Sequence, residues 1–197
     1  MKVAIIKYNA GNVYSVKGAL RRIGVETILT DCPEEIEAAD KVIFPGVGEA
    51  STAMRYLREK RLDEVIKNLR QPVLGICLGL QLMCAESEEG NTPCLGIFGI
   101  KVRRFDNAGN RELKIPHVGW NDIGVLQNEL ITQDLDKKYV YFVHSYYAPL
   151  CADTIAVCNY ISDFSAALHK NNFYATQFHP EKSGSVGESI LRKFVEI

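Results

Sequence analysis

Four short β-rich runs, at residues 2–7, 27–30, 41–44 and 72–76, alternate with amphipathic helical stretches. That alternation admits few folds other than βαβ units on a parallel sheet. Between the first two runs Val13, Val16, Ala19, Leu20 and Ile23 recur at helical spacing, with Asn12 as N-cap and Gly24 as the stop. Helices at 51–58 and 62–69 bridge the third and fourth strands. From residue 97 the runs lie closer together, at 97–105, 138–143, 154–160, 165–170 and 173–177, and read as antiparallel additions to the sheet. Residues 170–172 form a hairpin turn, and 187–194 a closing helix. With no repeat, low-complexity tract or linker, residues 1–197 read as a single α/β domain. Its central sheet is mostly parallel, with the antiparallel additions in the C-terminal half.

Composition removes several functions. Lys and Arg number 23 against 24 Asp and Glu, with no basic block, so nucleic acid is not an expected partner. The longest apolar stretch, 72–85, is broken by Gln81 and falls short of the roughly 20 residues that span a bilayer, so no membrane segment is expected. Six cysteines without a C-x-x-C pair, behind an N-terminus that is no secretory leader, point to a reducing cytoplasm and away from a metal site. Most of them, Cys84 included, read as small core residues.

One cysteine reads differently. Gly75-Ile76-Cys77-Leu78-Gly79 follows an apolar strand and precedes a helix expected at 80–86, which places Cys77 on a sharp strand-to-helix turn. The glycines permit the turn, while the helix N-terminus favours thiolate and offers N–H groups to an oxyanion. Alone, the string also fits a buried cysteine in a glycine-flanked strand. Near the C-terminus, Gln177-Phe178-His179-Pro180-Glu181 ends another strand. Pro180 holds His179 extended, so that His179 and Glu181 project to one side as a base and its orienting carboxylate. Pro45-Gly46-Val47-Gly48 follows the strand at 41–44, at the carboxyl edge where open α/β sheets bind ligands. The N–H groups of Val47 and Leu78 then form an oxyanion hole, although an ordinary strand-to-helix turn explains this loop equally well. No Gly-Lys-Ser/Thr follows, which disfavours a phosphate-binding P-loop.

These three strings, in this order, resemble the class I, triad-type glutamine amidotransferases over essentially the whole chain. Tyr8-Asn9-Ala10-Gly11-Asn12, Pro45-Gly46-Val47-Gly48-Glu49, Lys114-Ile115-Pro116-His117-Val118-Gly119-Trp120-Asn121, Tyr141-Phe142-Val143-His144-Ser145-Tyr146 and His179-Pro180-Glu181-Lys182-Ser183 are similar, together, to the glutaminase subunits of imidazole glycerol phosphate synthases. The resemblance implies a flavodoxin-like, three-layer fold, L-glutamine as substrate and no cofactor or metal. It implies a Cys77–His179–Glu181 triad working through a glutamyl thioester, with Gly48, Gln81, Glu89, His144, Ser145 and Tyr146 around the glutamine. Ammonia passes to a (βα)8-barrel cyclase docked on Asn12, Trp120, Tyr141 and Lys182, and the 45–48 backbone withholds the Val47 N–H until that partner binds its ligand. His117 and His169 are expected to be structural, and residues 106–111 a variable loop. Two alternatives stay open: an amidotransferase feeding a related barrel in amidino-sugar synthesis, and a non-catalytic subunit. The second fits poorly with a retained triad.

Overall fold

The computed structural model describes residues 1–8, 12–108, 113–126 and 128–197. Its first half runs β1 (Val3–Ile6), α1 (Val13–Arg22), β2 (Thr27–Thr30), α2 (Pro33–Glu37), β3 (Lys41–Phe44), α3 (Ala50–Glu59), α4 (Leu62–Asn68), β4 (Val73–Ile76) and α5 (Leu78–Met83). There follow β5 (Cys84–Ser87), β6 (Thr92–Pro93), β7 (Phe98–Arg104), β8 (His117–Asp122), β9 (Gly124–Val125), β10 (Tyr139–His144), β11 (Tyr146–Tyr147), β12 (Thr154–Asn159), β13 (Asp163–Lys170), β14 (Phe173–Thr176) and α6 (Gly184–Glu196).

The main sheet has eight strands in the order β2-β1-β3-β4-β14-β13-β12-β9. The first five are parallel and the last three antiparallel. The parallel strands are buried on both faces, and successive residues serve opposite cores: Val3, Ile5, Ile43 and Leu74 pack with α1 and α6, while Ala4, Ile6, Val42 and Val73 pack with α3, α4 and α5. That makes three layers. The carboxyl ends of β1, β3, β4 and β14 lie side by side and deliver Tyr8, the 45–48 loop, Cys77 and Gln177 to one edge.

Several local expectations need correction. Only β13, β12 and β9 are the antiparallel additions. Strand β14 inserts parallel to β4, β7 joins a separate four-stranded sheet, and β10 pairs with β8 alone. The helix after Cys77 starts two residues early and stops at Met83, because Cys84 pairs with Phe98 and the chain turns into β5. Helix α2 was not anticipated, although Pro33 at its first turn followed by Glu34 and Glu35 is a helix-start signal. Asn12 stands at the N-cap of α1 in the left-handed region (φ 70°), but its side chain caps nothing and donates instead to Glu181. Gly24 stops the helix as expected, with φ +82°. Asn9, Ala10 and Gly11, and Gly109, Asn110 and Arg111 of the variable loop, lie outside the described residues.

Candidate active site

Cys77 sits between β4 and α5 with φ 53° and ψ −105°, a conformation that costs energy for any residue with a Cβ. Two features hold it there. The Cys77 N–H donates to the Thr176 carbonyl at 2.7 Å, continuing the β4–β14 ladder past the strand end. On the other side Gly79 presses against β3 so closely that a Cβ would collide with the Phe44 carbonyl oxygen. The Cys77 side chain is 6% exposed, and its Sγ lies 3.8 Å from the Val143 carbonyl oxygen.

His179 leaves its strand extended (φ −99°, ψ 97°), as Pro180 requires. Residues Pro180–Lys182 then form a 3-10 turn, so the turn, and not an extended chain, brings Glu181 back to the imidazole. Glu181 Oε1 accepts from His179 Nδ1 at 2.7 Å and also from Asn12 Nδ2. Both side chains are buried. Burial, the largest single influence, disfavours the charged imidazolium, but Cys77 and Glu181 together outweigh it and raise the His179 pKa above the ordinary value. His179 Nε2 and Glu181 Oε2 are, among the described residues, the buried side-chain polar atoms without a hydrogen-bond partner. An imidazole oriented through one nitrogen and open at the other is equipped to move a proton.

In front of Cys77 lies a cavity of about 310 Å³ lined by Val47, Gly48, Cys77, Leu78, Gln81, Glu89, Pro116, Val143, His144, Ser145 and Tyr146. All six residues expected around glutamine line it, with Cys77 at its wall. Gln81 is held by donating through Nε2 to the Tyr146 carbonyl at 2.8 Å. Glu89 accepts the Ala50 N–H at 2.7 Å through Oε2, and burial raises its pKa. His144 donates through Nδ1 to the Tyr146 carbonyl at 2.8 Å and meets His117 Nδ1 at 3.1 Å through Nε2. His117 is stacked between Phe142 and Tyr160. His169 is peripheral, stacked on Tyr174.

The 45–48 loop stands beside Cys77 with its Gly46 carbonyl turned toward the Leu78 N–H, 3.4 Å away. The Gly46–Val47 peptide therefore directs its N–H away from the position an oxyanion would occupy. The Tyr8 hydroxyl donates to the Pro45 carbonyl and anchors the start of the loop. A Cβ on Gly46 would lie 2.7 Å from the Leu78 Cβ, so only glycine fits.

The residues expected to dock a partner form one surface beside the triad. Trp120, 54% exposed, and Tyr141 face each other across the β8–β10 ladder with rings 5.9 Å apart. Lys182 Nζ lies 5.9 Å from the Tyr141 ring centroid. The Tyr141 carbonyl accepts the His179 N–H at 2.9 Å, which puts the backbone of this surface in contact with the triad histidine. Sequence reasoning did not assign Val143 and Pro116 in the cavity wall, nor the exposed Tyr14, Val118 and Tyr139. Apolar side chains left open to solvent carry no periodicity signal of their own. Among the described residues, no group of three or more His, Cys, Asp or Glu is arranged to hold a metal ion, and no helix is long and apolar enough to cross a membrane.

Comparison with known proteins agrees with this geometry. The family model for glutamine amidotransferase class-I matches residues 4–197. The imidazole glycerol phosphate synthase subunit HisH of Bacteroides thetaiotaomicron is 57% identical over 197 residues, covering 100% of both chains. Its namesake from Bacteroides fragilis strain YCH46 is 59% identical over the same span, also covering 100% of both chains. That of Haemophilus influenzae strain Rd is 45% identical, covering 100% of this chain and 98% of its own. Among solved structures, a glutamine amidotransferase superimposes with a TM-score of 0.74 at 22% identity, covering 98% of this chain and 97% of its own. Another, from Thermotoga maritima, gives 0.65 at 18% identity, covering 100% and 81%. A matching family model over nearly every residue and full-length relatives above half identity make the assignment: the chain belongs to the class I glutamine amidotransferases, in the family of the HisH subunit of imidazole glycerol phosphate synthase.

Proposed function

We propose that this chain, acting as one glutamine amidotransferase domain over residues 1–197, is the glutaminase subunit of imidazole glycerol phosphate synthase. It hydrolyses L-glutamine to glutamate and ammonia and delivers the ammonia to a (βα)8-barrel cyclase. The observation that carries this reading is the single cavity that gathers Cys77 with Gly48, Gln81, Glu89, His144, Ser145 and Tyr146, in front of a His179–Glu181 pair. Six unpaired cysteines fit a cytoplasmic enzyme.

In the first step the Cys77 proton passes to His179 Nε2, and the thiolate attacks the side-chain amide carbon of glutamine. The carbonyl oxygen becomes an oxyanion. His179 then gives its proton to the departing nitrogen, ammonia leaves and a glutamyl thioester remains. Water, deprotonated by the same imidazole, attacks the thioester; the tetrahedral adduct collapses, the Cys77–carbonyl bond breaks, His179 returns the proton to the departing sulfur, and the new acid gives its own proton to solvent as glutamate leaves. Glu181 keeps His179 in the tautomer with the proton on Nδ1 and supports the imidazolium. The α-amino group of glutamine faces Glu89, and the His144–Tyr146 backbone meets its α-carboxylate. The Gly46 carbonyl now occupying the Leu78 N–H makes this resting arrangement a poor stabiliser of the oxyanion. A flip of the Gly46–Val47 peptide would remove that carbonyl, present the Val47 N–H and release the Leu78 N–H together.

The test is glutamate release by the chain alone, with the histidine-pathway cyclase of the same genome, and with cyclase plus its ribonucleotide substrate. Strong stimulation in the last mixture, abolished by Cys77→Ala, is expected. Absent stimulation, with Cys77 still alkylated by a glutamine-mimicking electrophile, would redirect the ammonia to another acceptor, the amidino-sugar barrel first.

A further inference from the structure

A buried amide side chain meets the sulfur of Cys77. Gln177, wholly buried one residue past β14, places its Nε2 3.7 Å from Cys77 Sγ, within N–H···S range. Which end of this carboxamide faces sulfur follows from its neighbours. The Tyr146 carbonyl can only accept, so the nitrogen of Gln81 must be the end that meets it at 2.8 Å. The other N–H of that nitrogen then donates to Gln177 Oε1 at 3.1 Å, which turns the Gln177 NH2 toward Sγ. Reversing either amide would set two donors or two acceptors against each other between two buried side chains.

The same logic extends outward. His144 Nδ1 carries a proton because it meets the Tyr146 carbonyl, so its Nε2 accepts from His117 Nδ1–H at 3.1 Å. Burial holds both rings neutral, lowering His144 to about 3 and His117 to about 4. A network of three other side chains and one carbonyl thus stands behind the donor aimed at the sulfur.

We propose that Gln177 is a thiolate-stabilising residue: its Nε2–H donates to Cys77 Sγ and holds the anionic sulfur before attack and again when sulfur leaves the acyl carbon. The idea rests on Cys77 being the nucleophile. When the thiol proton moves to His179 Nε2, the electron pair left on sulfur gains a charge-assisted hydrogen bond, and in the thioester, where the sulfur is neutral, that bond weakens. A neutral donor suits the task. A cation in its place would stabilise the thiolate further but blunt its nucleophilicity and compete with His179 for the same charge. The other titratable groups around Cys77 are His179 with Glu181 behind it, Tyr8 from the end of β1, neutral His144 from β10 and Glu89 from the cavity wall.

The test uses the full chain bound to its cyclase and reads the pH at which alkylation of Cys77 by iodoacetamide is half-maximal. Gln177→Met removes the donor and is expected to raise that pH by about one unit. Gln177→Glu keeps the size and the acceptor facing Gln81 but turns an oxygen toward sulfur, so a larger rise is expected, with kcat lowered at least about tenfold and KM for glutamine little changed. A folded variant of either kind with an unmoved alkylation profile overturns the proposal, since a purely structural residue would alter only the melting temperature. In the unmodified protein the Gln177 side-chain amide resonance should shift as Cys77 ionises and again on alkylation, and indifference to both overturns the proposal even if the variants do not fold. Glutamine hydrolysis surviving in Cys77→Ala would instead sink the nucleophile assignment, a separate outcome.

Discussion

The Gly46 carbonyl oxygen lies 3.4 Å from the Leu78 amide nitrogen, so one of the two N–H groups suited to an oxyanion is occupied by the peptide whose reversal would supply the other. The proposed gate would therefore be one peptide unit. Val47→Pro deletes the second donor, and in the complex with cyclase and its ligand kcat should fall by about 10²–10³-fold. Alkylation of Cys77 by iodoacetamide, which needs no oxyanion donor, should continue at the unmodified rate. Full stimulated turnover in the variant would remove the Val47 N–H from the mechanism.

Glu89 touches the loop as well as the cavity, because the N–H it accepts belongs to Ala50, two residues past Gly48. Glu89→Gln keeps an oxygen for Ala50 and loses the charge, so KM for glutamine should rise about tenfold or more with kcat largely kept. Ala50→Pro removes the donor from the first position of α3, where proline is tolerated, and Glu49 is already extended (φ −116°, ψ 136°) as a following proline demands. Steady-state kinetics should give it a raised KM as well, with an unchanged circular dichroism spectrum.

Two glycines mark backbone contacts with no room for a methyl group. At Gly79 a Cβ would strike the Phe44 carbonyl, and at Gly187 it would strike the Pro180 carbonyl, beside Glu181. Alanine at either position should destabilise the fold by about 1–3 kcal/mol in denaturant titrations. Gly187→Ala should also lower kcat by displacing the turn that carries the triad carboxylate.

Acid should unfold the protein earlier than an ordinary surface histidine count would give. His117 and His144 have pKa values lowered by burial to about 4 and about 3, whereas unfolding restores values near 6.5. At these two rings the unfolded chain therefore binds more protons below pH 6.5, so their contribution to stability is complete above that pH and is lost progressively as it falls toward 4. Melting temperatures between pH 7 and 4 should show this slope. His117→Asn, which keeps a donor for His144, should reduce it by roughly half.

On the surface proposed to dock the partner, Trp120→Ala should weaken cyclase binding at least about tenfold by calorimetry, since an exposed tryptophan packed on Tyr141, whose ring Lys182 also approaches, has the character of an interface anchor. Cys77 alkylation should be unaffected. Unchanged affinity would place the partner elsewhere.

Much of the site is legible in the linear chain because strand-to-helix turns write themselves in glycine and proline: 45–48, 75–79 and 179–181 are each a strand end followed by a forced turn. The parallel strands are equally legible, since burial on both faces leaves short apolar runs. What escapes is long-range pairing. Nothing local in residues 84–87 separates one more helical turn from a strand, and the choice is made by Phe98 on β7. Asn12 looks like a cap because caps are asparagines, yet its partner is Glu181, 169 residues away. Gln177 is invisible for the same reason: its meaning lies in Gln81 and Cys77, on a different strand-helix unit.

Strand β14 enters the sheet last in sequence yet lies between β4 and β13, with Cys77 and Gln177 a hundred residues apart at its junction with β4. A ribosome that has finished the elbow has made a cysteine with no base, no orienting carboxylate and no amide donor. Those arrive only with the final two dozen residues, as the gap in the sheet is filled. A copy that stops short of β14 therefore carries Cys77 without Gln177, His179 or Glu181, and insertion of the last strand into the sheet is what assembles the candidate site.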